Sequence, residues 1–359
     1  MKKRERTGRK SWRAALGLAL GVGVSAGDAL AQSQAQDAEI VVTATRRATA
    51  LQDVPVSVTP VTAQMVENAG VRDIQDLTSI VPSLQFNVSE NESSATARLR
   101  GIGTQGSNPG LESSVGVFID GVYRARNGVA LSDIGEVQQI EVLRGPQGAL
   151  YGRNVTGGAV LVRTRAPSDV FEARARLAAE TGPNLIGEVA ISGPLAPGVL
   201  SGRLAIYHAD DRGWLENGFD GARFGENETS IYRAALRFTP TSTLEFLLRA
   251  EQGFVDGDGP AGQNHALFER GSFDFAINNR GYAATDWEQV TLETNWDVAF
   301  GDGVITNIAG WRAVEVPWSA DIDSSPAFTF HTRVLNTQEQ WSEELRYACL
   351  LYTSPSPRD

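Results

Sequence analysis

The sequence has one cysteine (Cys349), three histidines and two methionines in 359 residues. A single cysteine cannot close an intramolecular disulfide, so no such staple holds the fold. His208, His265 and His331 stand far apart, with no Cys or Glu at ligand spacing, and so define no closed metal site. Long apolar runs are also missing: no stretch reaches the roughly 18 residues that a membrane-crossing helix needs. A chain of this kind that resides in a membrane must do so as a β-barrel. Positive charge is in deficit, with 32 Lys and Arg against 43 Asp and Glu and a net charge of −11. That balance argues against gripping nucleic acid or anionic lipid through bulk charge. G-x-S-x-G, H-E-x-x-H and P-loop signatures are lacking, and no nucleophile, base and orienter can be assembled. The chain is not read as an enzyme.

What is present begins with a basic head. Met1 to Arg13 carries seven Lys or Arg, an apolar run of 11 residues follows from Ala14 to Val24, and Ala29-Leu30-Ala31 precedes Gln32. Basic head, short apolar middle and an A-x-A site predict an export signal over 1–31, too short to span a bilayer. That segment holds seven basic and two acidic side chains, so its removal takes the net charge from −11 to −16. At the other end, CLLYTSPSPRD (349–359) breaks the preceding alternation and places two prolines in four residues. It resembles the translation of a sequencing adapter and is set aside from fold reasoning.

Two differently patterned regions lie between. Over 51–167 the pattern is mixed α and β. VPVSVTPV alternates like a strand; Thr62 can cap a helix AQMVENA ended by Gly70; Asp73 can cap a second that runs to Pro82. ATARLR, SVGVFIDGVYR, QQIEVLRG and GGAVLVRTR read as strands, with Asp120-Gly121 as a tight hairpin. Over 168–348 the helical signals vanish and about eight strands are expected. In WEQVTLETNWDVAF, Val290, Leu292, Trp296 and Val298 oppose Thr291, Glu293, Asn295 and Asp297. Dyad alternation over about ten residues, with aromatics near the ends, is how a membrane barrel strand reads. Short turns near 195–198, 239–243 and 300–303 alternate with polar stretches near 210–228, 255–285 and 317–331, which are expected to be long outer loops. An eight-stranded barrel is filled by its own side chains, whereas one of about 22 strands can hold a plug. The fold class expected is a mixed α/β plug followed by the first strands of a large antiparallel barrel.

The stretch AEIVVTATRR (38–47) is β-branched at its centre, and no neighbouring segment is expected to offer a hairpin partner. It reads as a strand-former on a tether over 32–50. With LQDVPVSVTPVTAQMVENAGVRDIQDLTSIVPSL, LRGIGTQGSNPG, SVGVFIDGVYR, IEVLRGPQGALYGRNVTGGAVLVRTR and WSEELR, it resembles the TonB-dependent outer-membrane receptors. The resemblance implies a TonB box at Glu39, Ile40, Val41, Val42, Thr43 and Ala44, held in the periplasm until it adds as a strand to TonB. It further implies energy from ExbB–ExbD in the inner membrane, contact with outer-membrane lipid, and import of a scarce ligand, by default a ferric siderophore. No resident cofactor is implied; iron enters only as part of the cargo, and no nucleic acid is a partner. Seven residues, 32–38, precede the box, too few for a further periplasmic signalling domain. A passive outer-membrane pore or structural surface barrel is the alternative, and it would have no use for AEIVV.

Within the resemblance, the glycine-rich block defines the plug motif: Arg100, Gly101 and Gly103, then Arg144, Gly145, Pro146, Gly148, Tyr151, Gly152, Arg153, Asn154, Gly157 and Gly158. These glycines permit the positive φ that tight turns require. In WSEELR, parity sets Ser342, Glu344 and Arg346 opposite Trp341, Leu345 and Tyr347, which turns Glu344 inward if the aromatics face lipid. Glu344 is expected to pair with Arg144 or Arg100 and lock the plug to the wall. GIGTQG matches G-x-G-x-x-G, but the following SNPGLESS opposes the helix that nucleotide binding needs, so it reads as a loop.

Overall fold

In the computed structural model, residues 40–71, 75–87, 95–104, 112–125, 136–181 and 184–349 are described. The expected export signal, Glu39, the cap Asp73 and residues 350–359 lie outside them.

The described chain opens with β1 (Val41–Val42) and β2 (Thr49–Ala50), paired antiparallel with Val41 opposite Ala50. A 3-10 turn over Leu51–Asp53 leads to β3 (Val58–Thr62). Pro60 lacks an amide donor and is tolerated because β3 is an edge strand, bonded to one neighbour. Thr62 caps α1 (Ala63–Asn68), its Oγ1 accepting the Met65 N–H at 3.3 Å, and Gly70 leaves the helix at φ +66°. The second expected helix is instead a 3-10 turn over Asp76–Ser79. Ser79 Oγ donates to the Asp76 carbonyl at 2.6 Å, a local bond that competes with continuing the helix.

Next come β4 (Leu84–Asn87), β5 (Thr96–Leu99) and β6 (Ile102–Gly103), a three-stranded sheet. The GIGTQG stretch thus begins in a hairpin strand. β7 (Val115–Ile119) turns through Asp120-Gly121, both at positive φ, into β8 (Val122–Arg124). β9 (Val137–Arg144), the one-turn helix α2 (Gly148–Tyr151) and β10 (Gly158–Thr164) complete a five-stranded sheet ordered β3-β9-β10-β7-β8. Its central strands are buried on both faces. Val115, Val117, Ile140, Val142, Val160 and Val162 pack on one side, whereas Phe118, Leu143, Ala159 and Leu161 meet the N-terminal segment on the other.

The remaining strands form one antiparallel sheet in chain order: β11 (Glu172–Glu180), β12 (Asn184–Ala196), β13 (Leu200–Glu216), β14 (Arg223–Thr241), β15 (Leu244–Gly257), β16 (Tyr282–Val298), β17 (Gly303–Asp321) and β18 (His331–Ala348). Parity sorts their side chains. Leu177, Leu292, Trp296, Trp341 and Leu345 point outward and exposed, while Arg233, Arg249 and Glu293 point inward. That apolar outer band is what lipid would cover.

The strands run longer than expected. The stretch near 210–228 is in large part ladder, and those near 255–285 and 317–331 lose a few residues at their ends to the strands; the connections at that rim are 217–222, 258–281 and 322–330. Polar sequence misleads here because strand extensions beyond a bilayer carry polar residues on both faces yet keep pairing, as Asp210 does with Glu228. Loop 258–281 is itself anchored: Asn217 donates to the Ile277 carbonyl at 2.9 Å and accepts its amide at 3.0 Å. The opposite rim keeps short connections at 197–199, 242–243 and 299–302, the periplasmic habit of outer-membrane barrels. Among the described residues β11 and β18 each pair along one edge, so the sheet is open.

Candidate functional site

The N-terminal strand-former is docked, not free. Val42 and Ala44 are fully buried against Phe118, Leu143, Tyr151 and Ala159. The expectation of a lone strand on a tether is corrected in two respects for residues 40–50. Thr49 and Ala50 supply a hairpin partner, and the inner sheet supplies the seat. A two-residue partner strand carries no periodicity, which is why the pattern of residues hides it.

Hydrogen bonds fix the register. Glu141 Oε1 accepts from Thr43 N at 2.7 Å and from Thr43 Oγ1 at 3.0 Å. Gln139 Nε2 donates to the Val41 carbonyl at 3.1 Å, and Tyr151 OH donates to the Ala44 carbonyl at 3.0 Å. The chain then turns: Arg46 N donates to the Thr43 carbonyl at 2.8 Å, and Arg46 itself sits at φ +64°. Its guanidinium lies 4.1 Å from the centre of the Tyr151 ring and 3.1 Å from Glu344 Oε2 on β18. Ile40 and Val41 stay exposed. One short segment therefore touches the inner sheet and the wall.

Burial pushes the Glu141 carboxyl above the ordinary carboxylate range, an effect that the two Thr43 bonds only partly offset. Burial also pushes the Tyr151 phenol up to about 12, so it remains a donor throughout the physiological range.

The expected lock takes a different partner. Glu344 does not meet Arg144 or Arg100; it meets Arg46, and its other oxygen lies 3.1 Å from Arg346 Nε. Glu344 stands four positions from the short-turn end of β18, level with the N-terminal segment. Arg144 instead reaches across the sheet to Thr59 Oγ1 at 2.5 Å, and Arg100 lies exposed at a turn with φ +52° beside Gly101. The remaining motif residues shape the seat. Gly145 and Gly152, both at positive φ, bracket Pro146 and α2, which begins at Gly148 and presents Tyr151 beneath Ala44. Gly158, at φ +140°, lies so close to the Leu143 carbonyl that a Cβ there would overlap it, and Gly157 and Gly103 are also tightly enclosed. Arg153 and Asn154 both meet Glu112, at 3.4 Å and 2.6 Å.

Five participants escape a reading of the sequence: Arg46, Gln139, Glu141, Glu136 and Tyr123. Glu136 makes a buried bidentate pair with Arg203 of β13, at 2.5 and 3.0 Å. The Tyr123 carbonyl accepts from Gln340 Nε2 at 2.8 Å, and Asp120 lies 3.6 Å from Arg249. At the tip of the β7–β8 hairpin, Gly121 abuts Ile308 while Val122 abuts Gly310. Inner domain and wall are thus joined by charge as well as shape.

Residues 50–159 match the TonB-dependent Receptor Plug Domain family. The pesticin receptor of Yersinia pestis is 30% identical over 210 residues, 58% of this chain and 31% of that protein. The ferripyoverdine receptor of Pseudomonas aeruginosa is 25% identical over 281 residues, 75% of this chain and 32% of that protein. The chain spans about a third of the length of the curated relatives it matches. Among solved structures, the ferric yersiniabactin uptake receptor from Yersinia pestis superposes with a TM-score of 0.72 at 24% identity, covering 82% of this chain and 46% of that one. The ferripyoverdine receptor bound to ferripyoverdine does so at 0.68 and 21%, covering 86% and 41%. These likenesses give the fold.

Proposed function

From the plug-domain match over residues 50–159 and the fold shared with solved receptors, we propose that the chain is part of a TonB-dependent outer-membrane receptor and forms the energy-coupling end of an active importer. In this reading residues 39–44 are the strand that TonB captures, with ExbB–ExbD supplying the drive and an iron chelate of the siderophore class as cargo. Strand addition suits the segment, since main-chain hydrogen bonds give affinity while asking little of side chains. The carrying observation is the seat itself: residues 41–44 are held by Gln139, Glu141 and Tyr151, and the segment is tied to the wall through Arg46 and Glu344. A partner that takes this strand must first break those contacts, so traction on the segment is transmitted to both the plug and the barrel. A passive pore would have no need of such a seat beneath a domain filling its lumen.

The test is deletion of residues 39–44 in the complete receptor. Energised uptake is expected to vanish while ligand binding at the cell surface persists. Unchanged uptake would favour the passive pore.

A further inference from the structure

The long-loop rim holds a cluster of side chains far from the seat of the N-terminal segment. Asp321 and His331 are the last facing pair of the β17–β18 ladder. Asp323 follows two residues on, in the connection 322–330, which Ile322 N closes by donating to the Phe330 carbonyl at 2.9 Å. One oxygen of each carboxylate and a ring nitrogen of His331 thereby come within 4.8 Å of one another. His331 Nε2 itself stands 3.6 Å from Asp321 Oδ2.

Both carboxylates are aimed by donors. Asp321, its side chain fully buried, accepts Asn278 N on Oδ2 at 3.1 Å and Ser324 N on Oδ1 at 3.2 Å. Asp323 accepts Ser325 Oγ on Oδ1 at 2.5 Å and Phe330 N on Oδ2 at 2.7 Å. Each oxygen keeps a second lone pair. Neither aspartate has a Lys or Arg at ion-pair distance among the described residues. His331 differs: Phe328 packs edge-on against its ring, with centroids 4.4 Å apart, and its Nε2 is buried without a hydrogen-bond partner among the described residues. A buried polar atom left unpaired is costly, and two carboxylates close together repel. A cation held between the three side chains relieves both at once.

The donor set selects the cation. Magnesium and calcium favour shells made of oxygen, whereas an imidazole nitrogen beside carboxylates suits zinc and its neighbours. Bonds of about 2.0–2.2 Å allow two ligands to stand at most about 4.2 Å apart, so the set must draw in by roughly 0.6 Å. Asp323, on a turn, and His331, at a strand end, are the members placed to move. The connection 258–281 joins here as well, through Asn278 N and through Asn264 Nδ2, which donates to the Asp323 carbonyl at 3.1 Å. We infer that Asp321, Asp323 and His331 form a site for a divalent transition cation of the zinc class, which clasps the connection 322–330 onto the end of the β17–β18 ladder. Three protein ligands leave a fourth position of the cation open. The inference is independent of the proposed function, which concerns the opposite rim.

The test is zinc binding by the complete receptor, purified in detergent without a polyhistidine tag, stripped with a chelator and read by equilibrium dialysis. One equivalent is expected, held at least about tenfold more tightly than magnesium or calcium. His331→Gln and Asp323→Asn should each weaken it by about tenfold or more. His208→Gln, on β13 with its ring bonded to Ser230, should leave it unchanged. Chymotrypsin supplies a second readout, since Phe328 and Phe330 are exposed in the connection. Zinc, unlike magnesium, should slow cleavage after these two residues several-fold in the parent and in neither site variant. No saturable zinc binding, or binding that both site variants retain, overturns the site; calcium or magnesium matching zinc overturns the cation class. Zinc bound without protection of 328–330 overturns the clasp. Should both substitutions prevent folding, the parent's protection by zinc against magnesium still decides.

Discussion

Glu141 and Tyr151 hold the N-terminal segment by opposite means, one accepting and one donating, and each can be altered without disturbing its bulk. Because the Glu141 carboxyl is raised by burial, the docked state binds a proton more tightly than the released state, where water reaches the group and it moves back toward the ordinary carboxylate value. Docking is therefore strongest below that ordinary value and weakens as pH rises through the window up to the raised one. Above the window the dependence is flat. Glu141→Gln keeps an acceptor for Thr43 without the buried charge, so docking at neutral pH should be at least as tight as in the parent and lose its pH dependence. Protection of the segment from protease across pH checks both expectations. Tyr151→Phe keeps the ring under Arg46 but strands the Ala44 carbonyl, at a cost of about 1–3 kcal/mol. The same assay should show the segment released more readily, with the Tyr151→Phe effect independent of pH up to the phenol's value of about 12.

At the scale of elements, the plug is held by a few contacts between distant strands. The Glu136–Arg203 pair is the most enclosed of them, with side-chain exposures of 6% and 9%. Glu136→Gln would leave Arg203 buried without its counter-charge, at a cost of about 3–5 kcal/mol. Urea unfolding followed through a single cysteine introduced at an exposed plug position should show the plug melting earlier while the barrel transition stays put; a simultaneous shift of both would contradict this. What the sequence made legible at this scale follows from period. Barrel strands such as Tyr282–Val298 announce themselves because lipid and lumen impose opposite polarity on alternate residues. The Asp120-Gly121 hairpin was legible because few residue pairs accept two successive positive φ values. The β1–β2 hairpin was not, because Thr49–Ala50 is too short and too polar to show a pattern. Nor was the Arg46–Glu344 contact, whose partners lie 298 positions apart and are joined only once sheet and wall are assembled. The seat of the segment is legible in its motif and invisible in its chemistry: Tyr151 stood inside the glycine-rich block, yet nothing in that block pointed to Ala44.

For the whole molecule, one outer-membrane surface is divided by height. On β18 the outward aromatics Trp341 and Tyr347 are six positions apart, about 20 Å along the strand and comparable to the apolar band of a barrel, about 25 Å. Beyond Trp341 the strand continues to His331 with Arg333, Thr337 and Glu339 on the outward face and Leu335 the one exposed apolar side chain among them, so most of this half of β18 suits the water side of the long-loop rim. Leu292→Arg, on the lipid face of β16, should therefore destabilise the inserted state by about 2–4 kcal/mol if it lies near the bilayer midplane. The open edges matter more. β11 and β18 each present unpaired amides and carbonyls along one side, among the described residues, and in a hydrocarbon environment every such group seeks a partner. Residues 40–348 refolded by themselves into detergent micelles are thus expected to self-associate edge to edge, as unprotected edge strands do. Light scattering on the eluted micelles should report dimers or larger species whose fraction rises with protein concentration. A stable monomer at all concentrations would mean that these eight strands curl shut on themselves, leaving a lumen too narrow for the plug described here.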